Sequence, residues 1–315
     1  MSRAAAISND PIADEVAREV LRDNGSAVTA ALGGFFASAG DDPAILFGPV
    51  TILVAGVGSA ARAFDGRCRQ PGIGAKRPRG FLTEQEIPAP ALVAAPASVA
   101  AAIVACAYDP GATVNSVVRR GITTARKAGA PQRAALLDRV LQLGAGLFSD
   151  PGLRGAVLGD AGPAQGGLVV AGDLTPPAGL DAAARDDGAG WSAPWAEEAV
   201  ERSVALGEGR AVCAVDVRGL FVAVAYRRLG DGLRLRDFEV DLPKLAVPVR
   251  RGVPRVAPGS PLPAPAPLAI RRNAAGQTVE VVASPHSLTL GEEPELSIRR
   301  DPVSLETLTT RLARS

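Results

Sequence analysis

Near the N-terminus apolar residues recur every four positions and then close up into an unbroken run, and the two patterns predict two kinds of burial. Ile12, Val16 and Val20, with Leu21 beside them, form the single stripe of an amphipathic helix. Asp10 is a suitable N-cap, Pro11 fits the first helical position, and Asp14 and Glu15 lie near the positive end of the helix dipole. Asn24-Gly25 tolerates the left-handed conformation that ends such a helix. Ala27-Val28 and Ala30-Ala31-Leu32 then open a segment so uniformly apolar that it has to be buried. Residues 6–31 therefore read as a helix hairpin feeding a core.

Aliphatic runs at 44–47 and 50–57, hinged at Gly48-Pro49, predict buried strands, with 60–65 extending the sheet. Residues 70–90 turn to Gly, Pro, Lys and Arg and predict a surface loop. Helices are expected over 96–108, 113–128 and 131–147, the last packing through Leu136, Leu137, Val140 and Leu141. A Gly/Pro/Ala-rich stretch at 159–190 reads as linker with one short strand at 168–171, and 195–206 as a further helix. Strands follow: 211–216 and 220–226 are nearly continuous Val/Ala/Phe runs about a Val217-Arg218-Gly219 turn, which predicts a hairpin in a sheet covered on both faces.

Between Leu233 and Leu242 the alternation flips phase by one residue, which a bulge near Arg236-Asp237 would absorb. Prolines exclude regular structure over 247–267, and 268–271 with 278–283 predict a second hairpin. Asp301-Pro302 is expected to cap a last amphipathic helix carrying Leu305, Leu308 and Leu312. The organisation expected is one domain with a mainly helical half containing core strands (1–177), a linker and helix (178–206), a β-rich half (207–300) and a C-terminal helix (301–315).

Composition narrows the function classes. Apolar residues make up 47% of the 315 but aromatics only 4%, so the core has to be built from Ala, Val and Leu, which favours close helix approach. A net charge of +1 with scattered arginine pairs gives no long-range field for nucleic acid. Cys68, Cys106 and Cys213 show no metal-ligand spacing, and an odd count cannot pair fully within the chain, so no metal or cofactor is expected and a reducing compartment fits. Residues 1–9 carry no apolar stretch of signal-peptide type, and the apolar stretches at 43–61 and 88–108 are broken by prolines; a cytoplasmic protein without a membrane span is expected.

Ala6, Ser8, Pro11, Ala13, Val20-Leu21, Gly25, Ala27-Val28 and Ala30-Ala31 together resemble the start of the mature γ-glutamyltransferase chain, a family of N-terminal-nucleophile hydrolases. Ala63-Phe64-Asp65-Gly66-Arg67 is similar to the family's D-F-R-E segment, and Ala95-Pro96-Ala97-Ser98-Val99-Ala100 to its V-P-G-S/T-V-A-G. Weaker similarity covers Val212 to Gly219, against S-V-V-D-x-x-G, and Pro258 to Ile270, against P-x-x-R-P-L-S-S-M-x-P-T-I-V. The resemblance implies an α/β fold of the four-layer αββα sandwich type, in reduced form because family members are usually much longer.

The same resemblance locates where chemistry belongs. Such an enzyme needs a Thr, Ser or Cys that becomes a new chain start on self-cleavage, its freed amine serving as the base. Setting Asp216 on the final Asp of the family's T-T-H-x-S-V-V-D puts Gly209 at the nucleophile, Arg210 at the second Thr and Ala211 at the His. Pro263-Ala264 stands at the substrate-binding Ser-Ser pair, and Pro285-His286-Ser287 at the P-G-G that supplies oxyanion-hole amides. Arg67 matches the arginine that grips the substrate α-carboxylate, a role suited to its planar fork.

Cys213 and His286 are the residual reactive candidates. Cys213 sits inside a Val/Ala strand, where cysteine is usually inert filling, and His286 is the sole histidine of the chain. Thr29, Thr123-Thr124 and Ser203 lie in no recognisable motif. The expectation is a γ-glutamyltransferase-like protein without the catalytic Thr, a non-catalytic subunit or scaffold that binds a protein partner or a second copy of itself. The alternatives are an active transferase or amide hydrolase with a displaced nucleophile, and a sensor of glutamate-like carboxylates through Arg67.

Overall fold

The computed structural model describes residues 3–56, 59–75, 80–196 and 207–312. Its helices are α1 (Pro11–Arg22), α2 (Ala27–Asp41), α3 (Ser98–Tyr108), α4 (Val114–Lys127), α5 (Pro131–Leu143) and α6 (Pro151–Ala161). Strands β1 (Ala5–Ser8), β2 (Val50–Gly56), β3 (Ser59–Gly66), β4 (Gly80–Phe81), β5 (Asp181–Ala183), β6 (Arg185–Asp186) and β7 (Gly190–Ser192) precede residue 197. After residue 206 come β8 (Glu208–Val215), β9 (Leu220–Arg228), β10 (Leu233–Leu235), β11 (Val240–Leu242), β12 (Val249–Arg250), β13 (Leu268–Arg272), β14 (Thr278–Ala283), β15 (Leu296–Arg300) and β16 (Thr307–Arg311).

Two antiparallel six-stranded sheets stack face to face, in the orders β1-β8-β9-β2-β3-β5 and β16-β15-β14-β13-β7-β6. Strand periodicity sorts the side chains of the first sheet. Val212 and Ala214 of β8 and Val222 and Val224 of β9 join the core beneath the helices. Ala211, Cys213 and Val215, with Phe221, Ala223 and Ala225, face Leu268, Ile270, Val281, Ala283, Leu296 and Ile298 of the second sheet. Such a sheet has no solvated face, which explains the continuous apolar runs. The expected α/β architecture of stacked sheets packed against helices is present.

α1 forms with its written signals: Asp10 Oδ1 accepts from the Ile12 and Ala13 amides at 3.0 and 3.2 Å, Pro11 opens the helix, and Asn24 takes φ +59°. Ser26 caps α2, whose residues from Ala27 to Gly40 are all buried. The expected close approach of small residues occurs between α2 and α4. A Cβ on Gly40 would lie 2.2 Å from the Gly121 carbonyl oxygen, and one on Gly121 would lie 2.4 Å from that of Phe36.

Several expected elements take other forms. Residues 44–47 are turns rather than strand, because the Asp42 carboxylate accepts the Ala44 amide and Gly48 bonds back to Ile45. The third predicted helix stops at Leu143, where Gly144 at φ +55° turns the chain into a 3₁₀ stretch. No strand forms at 168–171; the Asp173 carboxylate draws the Val170 amide into a 3₁₀ turn. The phase flip near Arg236 is a 3₁₀ turn joining β10 to β11, with Glu239 at φ +52°, rather than a bulge.

The C-terminal helix expected over 301–315 is replaced by β16. Asp301 does cap the Val303 and Ser304 amides, but Leu305 takes φ +61° and reverses the chain onto β15. Thr307, Thr309 and Thr310, β-branched, then favour the strand. α6 carries no earlier expectation, whereas β1 takes residues 6–8 out of the helix hairpin expected over 6–31 and into the first sheet beside β8. The Asp150 cap and Pro151 of α6 were available as signals, whereas the four residues of β1 are too short to show an alternation. Most of the helix expected over 195–206 lies outside the described residues, as does Ser203; Trp195 and Ala196 lie in a turn.

Candidate functional site

Ala264 and Pro285 come together with Arg210 at the start of β8, whereas Arg67 lies apart from them, against Asp65 and Trp195. By strand alternation Gly209 faces the second sheet and Arg210 the helices. Over Gly209 lies the loop that follows β14, at such close range that a Cβ on this glycine would stand 1.6 Å from the Pro285 carbonyl oxygen. No side chain of any kind fits here without moving that loop. Asn9 holds the strand from the other side, donating through Nδ2 to the Gly209 carbonyl at 3.0 Å and accepting the Ala211 amide through Oδ1 at 2.8 Å.

Arg210 points into a buried polar knot. Its Nη1 donates to Asp10 Oδ2 at 2.6 Å, and the same oxygen accepts from Ser38 Oγ at 2.7 Å and from the Tyr226 hydroxyl at 3.3 Å. With the two helix-cap amides on Oδ1, the carboxylate of Asp10 is fully hydrogen-bonded, which is the condition for burying it. Burial acts to lower the Arg210 pKa, but Asp10 and then Glu208 outweigh it and hold the guanidinium above its ordinary range. Desolvation, followed by the nearby Asp10 charge, raises the Tyr226 hydroxyl well above the usual tyrosine value. Both groups are therefore fixed in single protonation states.

Arg210, Tyr226, Ala264, Pro265 and Pro285 line a cavity of about 10 Å³. That is room for about one water molecule. Ala264 brings no hydroxyl to it. Arg227, across the ladder from Gly209, is 6% exposed and donates through Nε and Nη2 to the Pro265 carbonyl at 3.3 and 3.1 Å, which closes the cleft further.

Arg67 lies at the end of β3, 4% exposed. Its fork is already engaged: Nε and Nη2 meet the two oxygens of Asp65 at 2.9 and 3.0 Å. The guanidinium also lies over the Trp195 ring, 5.0 Å from its centre, while the indole N–H donates to Thr51. A ligand carboxylate seeking the Nε–Nη2 edge of this fork would have to displace Asp65.

His286 does reach the Gly209 neighbourhood, its Nδ1 2.6 Å from Glu295 Oε2 and its Nε2 3.4 Å from Asn9 Nδ2. Ser287 donates to the other Glu295 oxygen at 3.2 Å rather than to the imidazole. Neither ring nitrogen is hydrogen-bonded to a hydroxyl or thiol among the described residues, so among these His286 forms no base–nucleophile pair. Cys213 is fully buried between the sheets, and desolvation pushes its thiol up to about 12, the reverse of an activated cysteine. Sequence reading missed the Asp10–Arg210 pairing and the Asn9 clamp, because neither has a local signature.

No protein-family model matches the sequence, and a search of curated proteins finds no match. Solved structures do match. The chain superimposes on a cephalosporin acylase from Bacillus halodurans with a TM-score of 0.65 and 10% identity, over 99% of this chain and 96% of that one. It superimposes on a protein named LmbA2991 with a TM-score of 0.63 and 16% identity, over 90% and 78%. A γ-glutamyltranspeptidase from Pseudomonas nitroreducens aligns over 54% of this chain and 63% of its own, at 18% identity and a TM-score of 0.44. Among the described residues no helix is long and apolar enough to cross a membrane. The chain shares the stacked-sheet α/β fold of the cephalosporin acylase and LmbA2991 structures.

Proposed function

We propose that this protein is a non-catalytic bearer of the hydrolase fold, acting as a subunit or scaffold for another protein chain. The observation that carries the proposal is the 1.6 Å separation between a Cβ built on Gly209 and the Pro285 carbonyl oxygen. The nucleophile position is more than vacant: the chain opposite has closed over it. A cavity of about 10 Å³ beside Arg210 supports the same reading, since an acyl group has no place to bind. With the space at Gly209 filled, the outer surface is what remains for a protein partner at this end of the sheet, and function does not follow from fold alone. The likeness to acylases therefore gives this chain an architecture and not their reaction.

Affinity capture of the chain from its native cell tests the scaffold role. Stoichiometric recovery of one specific partner, or of a second copy of the chain, supports it. Recovery of the chain alone as a monomer that hydrolyses γ-glutamyl or acyl amides would refute it.

A further inference from the structure

Away from Gly209, the loops at 70–75, 163–170 and 249–258 enclose a cavity of about 450 Å³ that neither the fold likeness nor the proposed function uses. Its size falls in the range of about 300–1,000 Å³ that small-molecule sites occupy. Pro71, Pro163, Leu168, Val170, Val249 and Val256 give it apolar walls. Among the described residues that line it, Arg255 is the one charged side chain, and no carboxylate joins it there.

Two buried side chains hold the walls apart, so the cavity is built rather than left between slack loops. The carboxylate of Asp173, 6% exposed, accepts the amides of Gly72 at 2.8 Å, Ile73 at 2.9 Å and Val170 at 2.8 Å, tying the first loop to the second. Gln70, 4% exposed, donates to the Val247 carbonyl and accepts the Val247 amide, both at 2.9 Å, tying the first to the third. The Gly259 amide donates to the Gln70 carbonyl at 2.8 Å and repeats that link. The oxygens of Asp173 are taken up by these amides, and its carboxylate is not among the residues that line the cavity. Among the described residues Arg255 makes no ion pair or side-chain hydrogen bond, so a cation stands free at the edge of an apolar chamber.

We infer that this cavity binds a small amphipathic carboxylate, its hydrocarbon body among the proline and aliphatic walls and its anionic head on Arg255. The inference is independent of whether the Gly209 site is dead.

Titration calorimetry of the full chain with decanoate tests it, with acetate, decanol and decyltrimethylammonium as comparison probes. Decanoate is expected to saturate one site, acetate to give no heat, and decanol to bind about five- to tenfold more weakly for want of the charge-assisted contact. Arg255→Gln is expected to weaken decanoate by the same factor and leave decanol unchanged. Ala257→Trp, at an exposed lining position where folding tolerates bulk, is expected to abolish both. Failure of decanoate to saturate, equal affinity for decyltrimethylammonium, or binding unchanged in Ala257→Trp would each overturn the assignment.

Discussion

Arg210 Nη1 stands 2.6 Å from Asp10 Oδ2, joining the first turn of the N-terminal helix to the strand position just after Gly209. The contact makes the start of β8 a structural tie, because both partners are at least four-fifths buried and the carboxylate also caps α1. Asp10→Ala removes the cap and leaves the Arg210 guanidinium with only Glu208, 3.4 Å away, so a loss of about 2–4 kcal/mol in denaturant-measured stability is expected. Asp10→Asn should cost less, since an amide oxygen still caps the helix. Equal stability of wild type and Asp10→Ala would show that the tie is idle.

Gly209→Thr is the substitution that would formally restore the hydrolase motif. The geometry predicts that it destabilises the chain by about 1–3 kcal/mol or more through overpacking against Pro285, and that it neither self-cleaves nor gains amidase activity. Equilibrium unfolding together with an amide-hydrolysis assay reads both effects.

Arg67→Ala should behave as a stability variant rather than a binding variant. Asp65 keeps Arg69 at 3.1 Å after the change, so the cost should fall below the about 3–5 kcal/mol of a fully orphaned buried carboxylate. Glutamate and glutathione are expected to leave the melting temperature of the wild type unmoved. A shift that disappears in Arg67→Ala would instead establish a carboxylate site.

Base should weaken the fold in a defined window. Burial pushes Cys213 up to about 12 and, with help from Asp109, Cys106 up to about 11, whereas unfolded thiols titrate near about 8.5. A folded pKa raised above the unfolded one means stability is fully present below the unfolded value and is lost as pH rises toward the folded one. Unfolding free energy should therefore decline between about pH 9 and 12, and the decline should be shallower in Cys213→Ala. Iodoacetamide at neutral pH should label the thiols only after denaturation.

What the sequence disclosed follows from which interactions are local. The N-cap at Asp10, the turn at Asn24-Gly25 and the β8–β9 hairpin are set by neighbours within a few residues, and each formed where its residues indicated. Residues 44–47 and 301–312 were misread because one carboxylate, Asp42 or Asp301, and one left-handed Leu305 redirected chains whose periodicity alone favoured another element. At the site, the absence of a hydroxyl at Gly209 was legible directly. The Pro285 carbonyl over it and the Asn9 clamp, about 76 and 200 residues away in sequence, were not, because strand stacking alone brings them there.

Intact-mass spectrometry of the purified chain tests the loss of self-processing most directly. A single species at the full-length mass of 32.1 kDa is predicted, unchanged after prolonged incubation. Two fragments divided between residues 203 and 213 would show that a nucleophile still operates at the start of this strand, and would contradict the account.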